Sequence, residues 1–133
     1  PIPLTSDGFA KGFIPSEAIA LIGKEHFTED EAVKFFRGGG LSEVDAPELL
    51  KVTKRTDGLA RKRLIKSMQQ GTTEKPFAII GGEGDQGVNH EYITSLEIPS
   101  LWEGKVHMIE GSHYAFFDNP LAFNPLFTRF FTE

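Results

Sequence analysis

The chain has 133 residues, 39% of them hydrophobic and 25% charged, and it contains no cysteine. This composition excludes a fibrous repeat, a disulfide framework and a cysteine nucleophile, and the length suffices for one hydrophobic core. The net charge of -5 argues against a nucleic-acid partner, because that role normally requires a basic surface. No apolar run could span a bilayer and no signal peptide is recognisable, so we expect a cytoplasmic protein with no membrane partner.

The first third of the chain is predicted to be helical. Pro15 to His26 carries apolar residues at helical spacing, which indicates one helix. Thr28 and Glu31 have the spacing of a capping box ahead of a second helix, Glu29 to Arg37. The three glycines that follow Arg37 are expected to end this helix, because glycine tolerates the backbone geometry of a helix C-terminus.

Two further helices are predicted before residue 71. Asp45 is the predicted cap of the first, with Pro47 in its first turn and Gly58 past its end. The second covers Leu59 to Gln70 and, like the first, is rich in lysine and arginine. Such a basic stretch is usually a solvated helix face, and attraction of an anionic substrate or an acidic partner is the functional alternative.

Beyond Lys75 the pattern changes to strands alternating with helices. Phe77 to Ile80 is a short apolar run bounded by proline and glycine, which predicts a buried strand. Asn89 can cap a helix that ends near Leu96, and Val106 to Ile109 is a second strand-sized run. A strand-helix-strand unit of this length implies a parallel pair.

The tail from Asn119 to Phe131 is predicted to be a helix that Pro125 splits or begins. Its phenylalanines recur along one helical face, which is most simply a core-facing stripe. These residues are Phe123, Phe127, Phe130 and Phe131.

An acid and a histidine occupy the loops that follow the two predicted strands. Asp85 lies in the glycine-rich loop after Ile80, and His113 lies directly after Gly111 and Ser112. Loops at the same edge of a parallel sheet lie close together, so we expect the two side chains to meet. Taken alone, Asp85 would be read as a turn residue. Opposite His113, it can fix the imidazole tautomer and leave the other ring nitrogen as a general base.

The pattern from Pro76 to Asp85, followed by Ile109 to His113 and by Asp118 to Pro120, resembles the end of α/β-hydrolases. In that family the acid follows the seventh strand, the histidine follows the eighth, and a final helix packs back on the sheet. The resemblance implies an α/β fold that covers nearly the whole chain. A helical cap, residues 1–70, would precede a strand-helix-strand-helix part, residues 71–133, of a larger parallel sheet.

The resemblance also implies the reaction, an esterase-like hydrolysis with a Ser-His-Asp mechanism in which Asp85 orients His113. The family's Gly-x-Ser-x-Gly nucleophile elbow does not occur in these 133 residues. Ser112 is a poor substitute, because neighbouring side chains on one loop seldom align for proton transfer. We therefore expect the serine outside this chain, in a missing N-terminal hydrolase half, and we expect the isolated chain to be inactive.

The substrate is expected to be a small molecule, of a bond type that the sequence does not specify. Phe35, Phe36 and Leu41, from the predicted cap, are the residues expected to line an apolar substrate pocket. A two-stranded parallel unit leaves an unpaired edge and an apolar face, so we expect the isolated chain to self-associate.

The remaining histidines do not predict a metal site, and no cofactor is expected, because no histidine and carboxylate spacing matches a known pattern. His107 is predicted to pack or hydrogen-bond within its strand. His26 and His90 are predicted to be surface or helix-end residues.

Two other functions compete with the hydrolase interpretation. The run from Gly82 to Gly87 matches the Gly-x-Gly-x-x-Gly pattern of dinucleotide-binding loops. Against this, Glu83 and Asp85 would place two carboxylates beside a pyrophosphate, which requires backbone donors and a helix N-terminus. The absence of a serine elbow also favours a non-catalytic interaction module as an alternative.

Overall fold

The computed structural model describes residues 6–22, 24, 26–53 and 75–133. The predicted helix Leu59 to Gln70 and the basic residues after Lys51 lie outside these ranges. The described elements are, in chain order, helices α1 (Ser6–Lys11), α2 (Glu17–Ala20), α3 (Glu29–Gly38) and α4 (Asp45–Thr53), strand β1 (Ile80–Gly82), helix α5 (His90–Thr94), a 3-10 turn (Trp102–Gly104), strand β2 (His107–Ile109), and helices α6 (Ala115–Asp118) and α7 (Pro120–Thr132). Among them, no helix has the length and apolar character needed to cross a membrane.

The capping box predicted at the start of α3 is confirmed. Thr28 Oγ1 accepts a hydrogen bond from the Glu31 amide at 3.2 Å, and the Glu31 carboxylate accepts one from the Thr28 amide at 3.0 Å. Lys24 forms an ion pair with the same carboxylate at 2.5 Å. The helix ends at Gly38, one residue later than predicted, and the chain turns away through Gly40, whose φ is 93°.

The helices on either side of α3 depart from the prediction. Helix α2 is only four residues long, capped by Ser16, and the chain leaves it after Ala20 in hydrogen-bonded turns instead of continuing to His26. Asp45, the predicted cap, is the first residue of α4. Ser42 Oγ accepts a hydrogen bond from the Asp45 amide at 3.0 Å and donates one to the Asp45 carboxylate at 2.6 Å. Helix α1 was not predicted at all.

Strands β1 and β2 pair in parallel, as predicted, with Ile80 opposite His107 and Gly82 opposite Ile109. Helix α5 connects them and is capped by Asn89, whose side chain accepts from the third amide of the helix. Because both strands end at the same level, the loops that follow them leave the same edge of the sheet.

The paired part of β1 lies further along the chain than the apolar run that predicted it. Phe77 makes only an isolated parallel bridge with Leu101, and regular pairing starts at Ile80 and continues over two glycines. A side chain at Gly82 would overlap the Ser112 carbonyl. The paired strand therefore extends over glycines, because the backbone of the loop after β2 lies against Gly82. A hydropathy pattern does not reveal this contact.

Helix α7 is continuous through Pro125, so the predicted interruption there is wrong. Proline removes one backbone donor from the helix, which the rest of the helix tolerates. No residue of α7 is fully buried, and Phe127 and Phe131 are 49% and 69% exposed. The prediction that the phenylalanine stripe is core is therefore wrong for these two residues within this chain.

The buried core joins α3 and α4 to the segment after β2. Its buried members are Ala32, Phe36, Leu41, Ala46 and Leu49. Tyr114 and Phe117 pack against this cluster, and the Tyr114 ring meets the Phe36 ring edge to face at 5.4 Å. The helical region and the loop that carries His113 consequently share one core. The predicted division at residue 70 stays a prediction, because that position lies outside the described residues.

Candidate active site

The loop after β1 holds Asp85 by hydrogen bonds within the loop itself. The Asp85 amide donates to the Gly82 carbonyl at 3.1 Å. Asp85 Oδ1 accepts from the Gly87 amide at 2.8 Å and from the Val88 amide at 3.1 Å. The Asp85 side chain is 2% exposed. The other carboxylate oxygen, Oδ2, is thereby aimed away from the loop.

The loop after β2 is fixed by the two residues that precede α7. The Ser112 amide donates to Asp118 Oδ2 at 2.9 Å, and Asn119 Nδ2 donates to the Glu110 carbonyl at 2.9 Å. The Tyr114 amide donates to Ser112 Oγ at 3.0 Å. These bonds fix the backbone on both sides of His113.

Asp85 and His113 meet as the sequence predicts. His113 Nδ1 lies 2.7 Å from Asp85 Oδ2, and the His113 side chain is 45% exposed. Burial raises the pKa of the Asp85 carboxyl. The hydrogen bond and charge of His113, together with the Gly87 and Val88 amides, outweigh burial and hold that pKa below its ordinary value of 3.8.

The tautomer of His113 follows from this charge. An ionised carboxylate only accepts hydrogen bonds, so His113 Nδ1 must carry the proton that bonds Asp85 Oδ2. In the neutral ring, His113 Nε2 then carries the lone pair, and the His113 side chain is 45% exposed. An imidazole held in this way is arranged to accept a proton at Nε2.

The glycine turn at the end of α3 contacts both of these loops. The Gly39 carbonyl accepts a hydrogen bond from the His113 amide at 2.8 Å. A side chain at Gly40 would collide with the Gly84 carbonyl in the acid loop. The sequence indicated only a helix end here, whereas the turn also supports the two loops that carry Asp85 and His113.

A small apolar cavity of about 40 Å³ lies beside His113. The side chains that line it include Phe13, Ile19, Ile22, Phe35, Val88 and Tyr114. Burial, followed by the charge of Asp85, raises the pKa of the Tyr114 hydroxyl, so the phenol is neutral. Of the three residues expected to contact substrate, only Phe35 reaches this cavity, while Phe36 and Leu41 are buried in the core.

Ser112 is badly placed to act as a nucleophile. The residue is 3% exposed, and its Oγ accepts a hydrogen bond from the Tyr114 amide. Its backbone amide is bonded to Asp118. The serine therefore has a structural role in the histidine loop.

The other histidines fall into three different settings. His107 is buried in β2 and stacks on Trp102 at 4.6 Å, consistent with the predicted packing role. His26 is exposed. His90 is the first residue of α5, and its Nε2 lies 3.5 Å from Asp85 Oδ2. His90 is thus a helix-end residue, as predicted, but its contact with Asp85 was not predicted from the sequence.

The geometry of the glycine-rich loop does not suit a dinucleotide. The Glu83 and Gly84 amides donate to the Ile109 and Gly111 carbonyls, both at 2.8 Å. The Gly87 amide donates to Asp85. The backbone donors that would bind a pyrophosphate are thus already used, and α5 begins only at His90. Within the described ranges, no three histidine or carboxylate side chains are grouped as metal ligands.

No protein-family model matches the sequence, and no curated protein is significantly similar to it. Solved structures of the N-acyl homoserine lactonase AidH are similar. The complex of AidH with N-butanoyl homoserine is 27% identical, with a TM-score of 0.74, and the match covers 97% of this chain and 51% of that chain. A glutamate-to-glycine mutant of AidH, complexed with N-hexanoyl homoserine, is 26% identical with a TM-score of 0.73. The chain therefore spans about half the length of the proteins it matches.

Proposed function

We propose that this chain, which has the fold of the C-terminal half of an α/β-hydrolase, supplies the acid and the histidine of an esterase-like hydrolase. Asp85 is the acid, His113 is the general base, and the nucleophilic serine belongs to a segment outside these 133 residues. The solved structures that resemble this chain are those of a hydrolase, which supports the reaction class.

The observation that carries the proposal is the 2.7 Å contact between an ionised, buried carboxylate and a half-exposed imidazole. A purely structural ion pair would not require the imidazole to stay 45% exposed. In a hydrolase the imidazole must reach a nucleophile with its second ring nitrogen. The pair also lies at the carboxyl edge of a parallel sheet, where ligands bind in open α/β folds.

The chemistry proceeds in two halves. The serine oxygen attacks the substrate carbonyl while His113 Nε2 takes the hydroxyl proton, and Asp85 stabilises the imidazolium through Nδ1. His113 then gives that proton to the departing alkoxide, which leaves an acyl-serine. Water attacks the acyl group with His113 again as base, and the product acid leaves with the serine restored.

We propose a small ester or lactone with a short apolar acyl group as the substrate. The AidH complexes contain N-butanoyl homoserine and N-hexanoyl homoserine lactone; the second is a lactone, and both carry a short acyl chain. The apolar cavity beside His113 is small, at about 40 Å³, and suits a few carbon atoms at most. Phe35 is the predicted substrate-contacting residue that lines it.

The rest of the hydrolase fold is the proposed partner of this chain. An open groove of about 400 Å³ lies between β1 and α7, lined by apolar residues alone: Pro76, Phe77, Ala78, Ile80, Phe123, Phe127, Phe130 and Phe131. We call these residues the apolar face. An N-terminal half that continues the sheet next to β1 would cover it, and a second copy of the chain is the expected occupant when that half is absent.

The experiment that tests the proposed function is ester turnover by matched forms of the protein. Hydrolysis of p-nitrophenyl acetate and p-nitrophenyl butyrate is measured for the 133-residue chain, for the longest natural form that contains it, and for that form with His113→Ala. His26→Ala is the control, because His26 is exposed and is not part of the pair. We expect turnover by the longest form and its control variant alone.

Other outcomes would point elsewhere. Activity of the 133 residues alone that depends on His113 would show that the nucleophile is present in this chain. A longest form that has no serine elbow and no activity would favour the second candidate, a non-catalytic interaction module. The exposed apolar face is the observation that supports this candidate.

A further inference from the structure

A second imidazole, that of His90, contacts the same carboxylate oxygen as His113. His90 Nε2 lies 3.5 Å from Asp85 Oδ2, and His113 Nδ1 lies 2.7 Å from that atom. The other oxygen, Oδ1, accepts from the amides of Gly87 and Val88. A carboxylate offers about four acceptor sites. His113 and the two amides use three of them, which leaves one on Oδ2 for His90.

The His90 ring is buried at its polar atoms. Nδ1 and Nε2 are both inaccessible to solvent, and neither makes a hydrogen bond with any residue in the described part of the chain. A buried polar atom without a partner costs about 1–3 kcal/mol. Asp85 Oδ2 is a charged acceptor 3.5 Å from His90 Nε2, so a hydrogen bond between them would remove that cost on one side of the ring.

Local structure holds the ring in this position. His90 begins α5, and the Asn89 side chain caps that helix by accepting from the Tyr92 amide at 3.1 Å. On the opposite side, Gly81 of β1 leaves room for the imidazole, because a Cβ at Gly81 would lie 2.7 Å from His90 Cε1. Any side chain at position 81 would displace the ring from Asp85.

We propose that His90 is a positioning residue for the acid, with its Nε2–H donating to Asp85 Oδ2 and fixing the orientation in which that oxygen meets His113. The inference rests on the proposed function. With four donors on four acceptor sites, the carboxylate has no freedom to rotate about its Cβ–Cγ bond. Hydrogen bonds of this kind are commonly long in a free enzyme and shorten in the reactive complex.

The first test determines which ring nitrogen of His90 carries the proton. The 133-residue chain is labelled with ¹⁵N-histidine, and the tautomer of each ring is determined by NMR at about pH 8.5, where an ordinary imidazole is neutral. His90→Gln and His107→Gln assign the resonances. We expect His90 as the Nε2–H tautomer. An Nδ1–H tautomer at His90 would overturn the proposal, because Nε2 could not then donate to Asp85.

The second test uses turnover by the longest natural form. His90→Leu keeps an apolar side chain without a donor and is expected to lower kcat about 10- to 100-fold with KM little changed. His90→Gln, whose amide nitrogen takes the place of Nε2, should recover most of kcat. Equal losses in both variants, or no loss in the leucine variant, would show that the ring acts only by packing.

The two tests separate this proposal from the proposed function. The tautomer is measured without turnover, so a protein with no ester hydrolysis would overturn the proposed function while the NMR result still decides the contact. Conversely, an active enzyme with an Nδ1–H tautomer at His90 would overturn the positioning role alone.

Discussion

The carboxyl edge of the sheet and the apolar face differ in how far this chain satisfies their contacts. At the carboxyl edge, Asp85 accepts hydrogen bonds from the Gly87 and Val88 amides and contacts His113 Nδ1 at 2.7 Å, all within this chain. On the apolar face, Phe127 and Phe131 contact neighbouring phenylalanines but remain 49% and 69% exposed. The acid-histidine pair is thus assembled by this chain alone, whereas burial of the apolar face requires another segment or molecule.

The largest expected effect concerns the Asp85–His113 pair at the carboxyl edge of the sheet. Asp85→Asn in the longest natural form should lower kcat about 10⁴-fold, because an asparagine can hold the wrong imidazole tautomer. Glu83→Gln is the matched control, an exposed carboxylate two residues away on the same loop. Steady-state kinetics with p-nitrophenyl butyrate measures both. Similar losses in the two variants would mean that loop charge, rather than the Asp85 contact, supports turnover.

The next effect concerns the apolar face. Phe127→Ser with Phe131→Ser should weaken self-association of the 133-residue chain by about 100-fold or more, since each buried phenylalanine contributes about 1.5–3 kcal/mol. Val44→Ser is the control, because Val44 is 77% exposed in the helical region. Sedimentation velocity over a range of concentrations measures the change. A wild-type chain that stays monomeric throughout would contradict the expected association.

A third effect concerns the contact between the glycine turn after α3 and the loop that carries Asp85. Gly40→Ala is expected to cost about 2–3 kcal/mol of unfolding free energy, from a positive φ and from overlap with the Gly84 carbonyl. Gly104→Ala, at a φ of 65° with open space around it, should cost only about 1 kcal/mol. Urea denaturation compares the two. Equal costs would show that the contact with the acid loop contributes nothing.

The smallest effect is the contribution of Asp85 to the pH dependence of the unfolding free energy. The pKa of Asp85 is lower in the folded chain than its ordinary value of 3.8, so its contribution to stability is present above that value. The contribution is lost as pH falls through the folded pKa. Unfolding free energies measured from about pH 6 down to about pH 3 should therefore fall less steeply in Asp85→Asn than in wild type. The same pH dependence of unfolding free energy in both proteins would contradict a lowered pKa of Asp85.

The features that could be predicted from sequence are those set by neighbouring residues. The capping box of Thr28 and Glu31 and the Asn89 cap involve residues three apart, and both are present. The parallel pair and the meeting of Asp85 with His113 followed from the order of strands and loops.

The features that could not be predicted depend on the packing of the folded chain rather than on a short sequence pattern. Pro125 is accommodated inside a helix, and Gly81 is needed in β1 because His90 packs against it. The Gly39 contact with the His113 loop joins residues 74 apart in sequence, beyond the reach of any local pattern. The phenylalanines fit a core pattern, and the fold identifies Phe127 and Phe131 as members of that stripe that stay exposed.

The central claim is that this chain by itself holds His113 as a general base oriented by Asp85. The tautomer of the His113 ring tests this claim most directly. In ¹⁵N-histidine NMR of the 133-residue chain at about pH 8.5, we predict an Nδ1–H tautomer at His113. Its proton should be strongly shifted downfield, and that resonance should disappear in Asp85→Asn. An Nε2–H tautomer at His113 in the wild-type chain, or an Nδ1 proton unaffected by Asp85→Asn, would contradict the account.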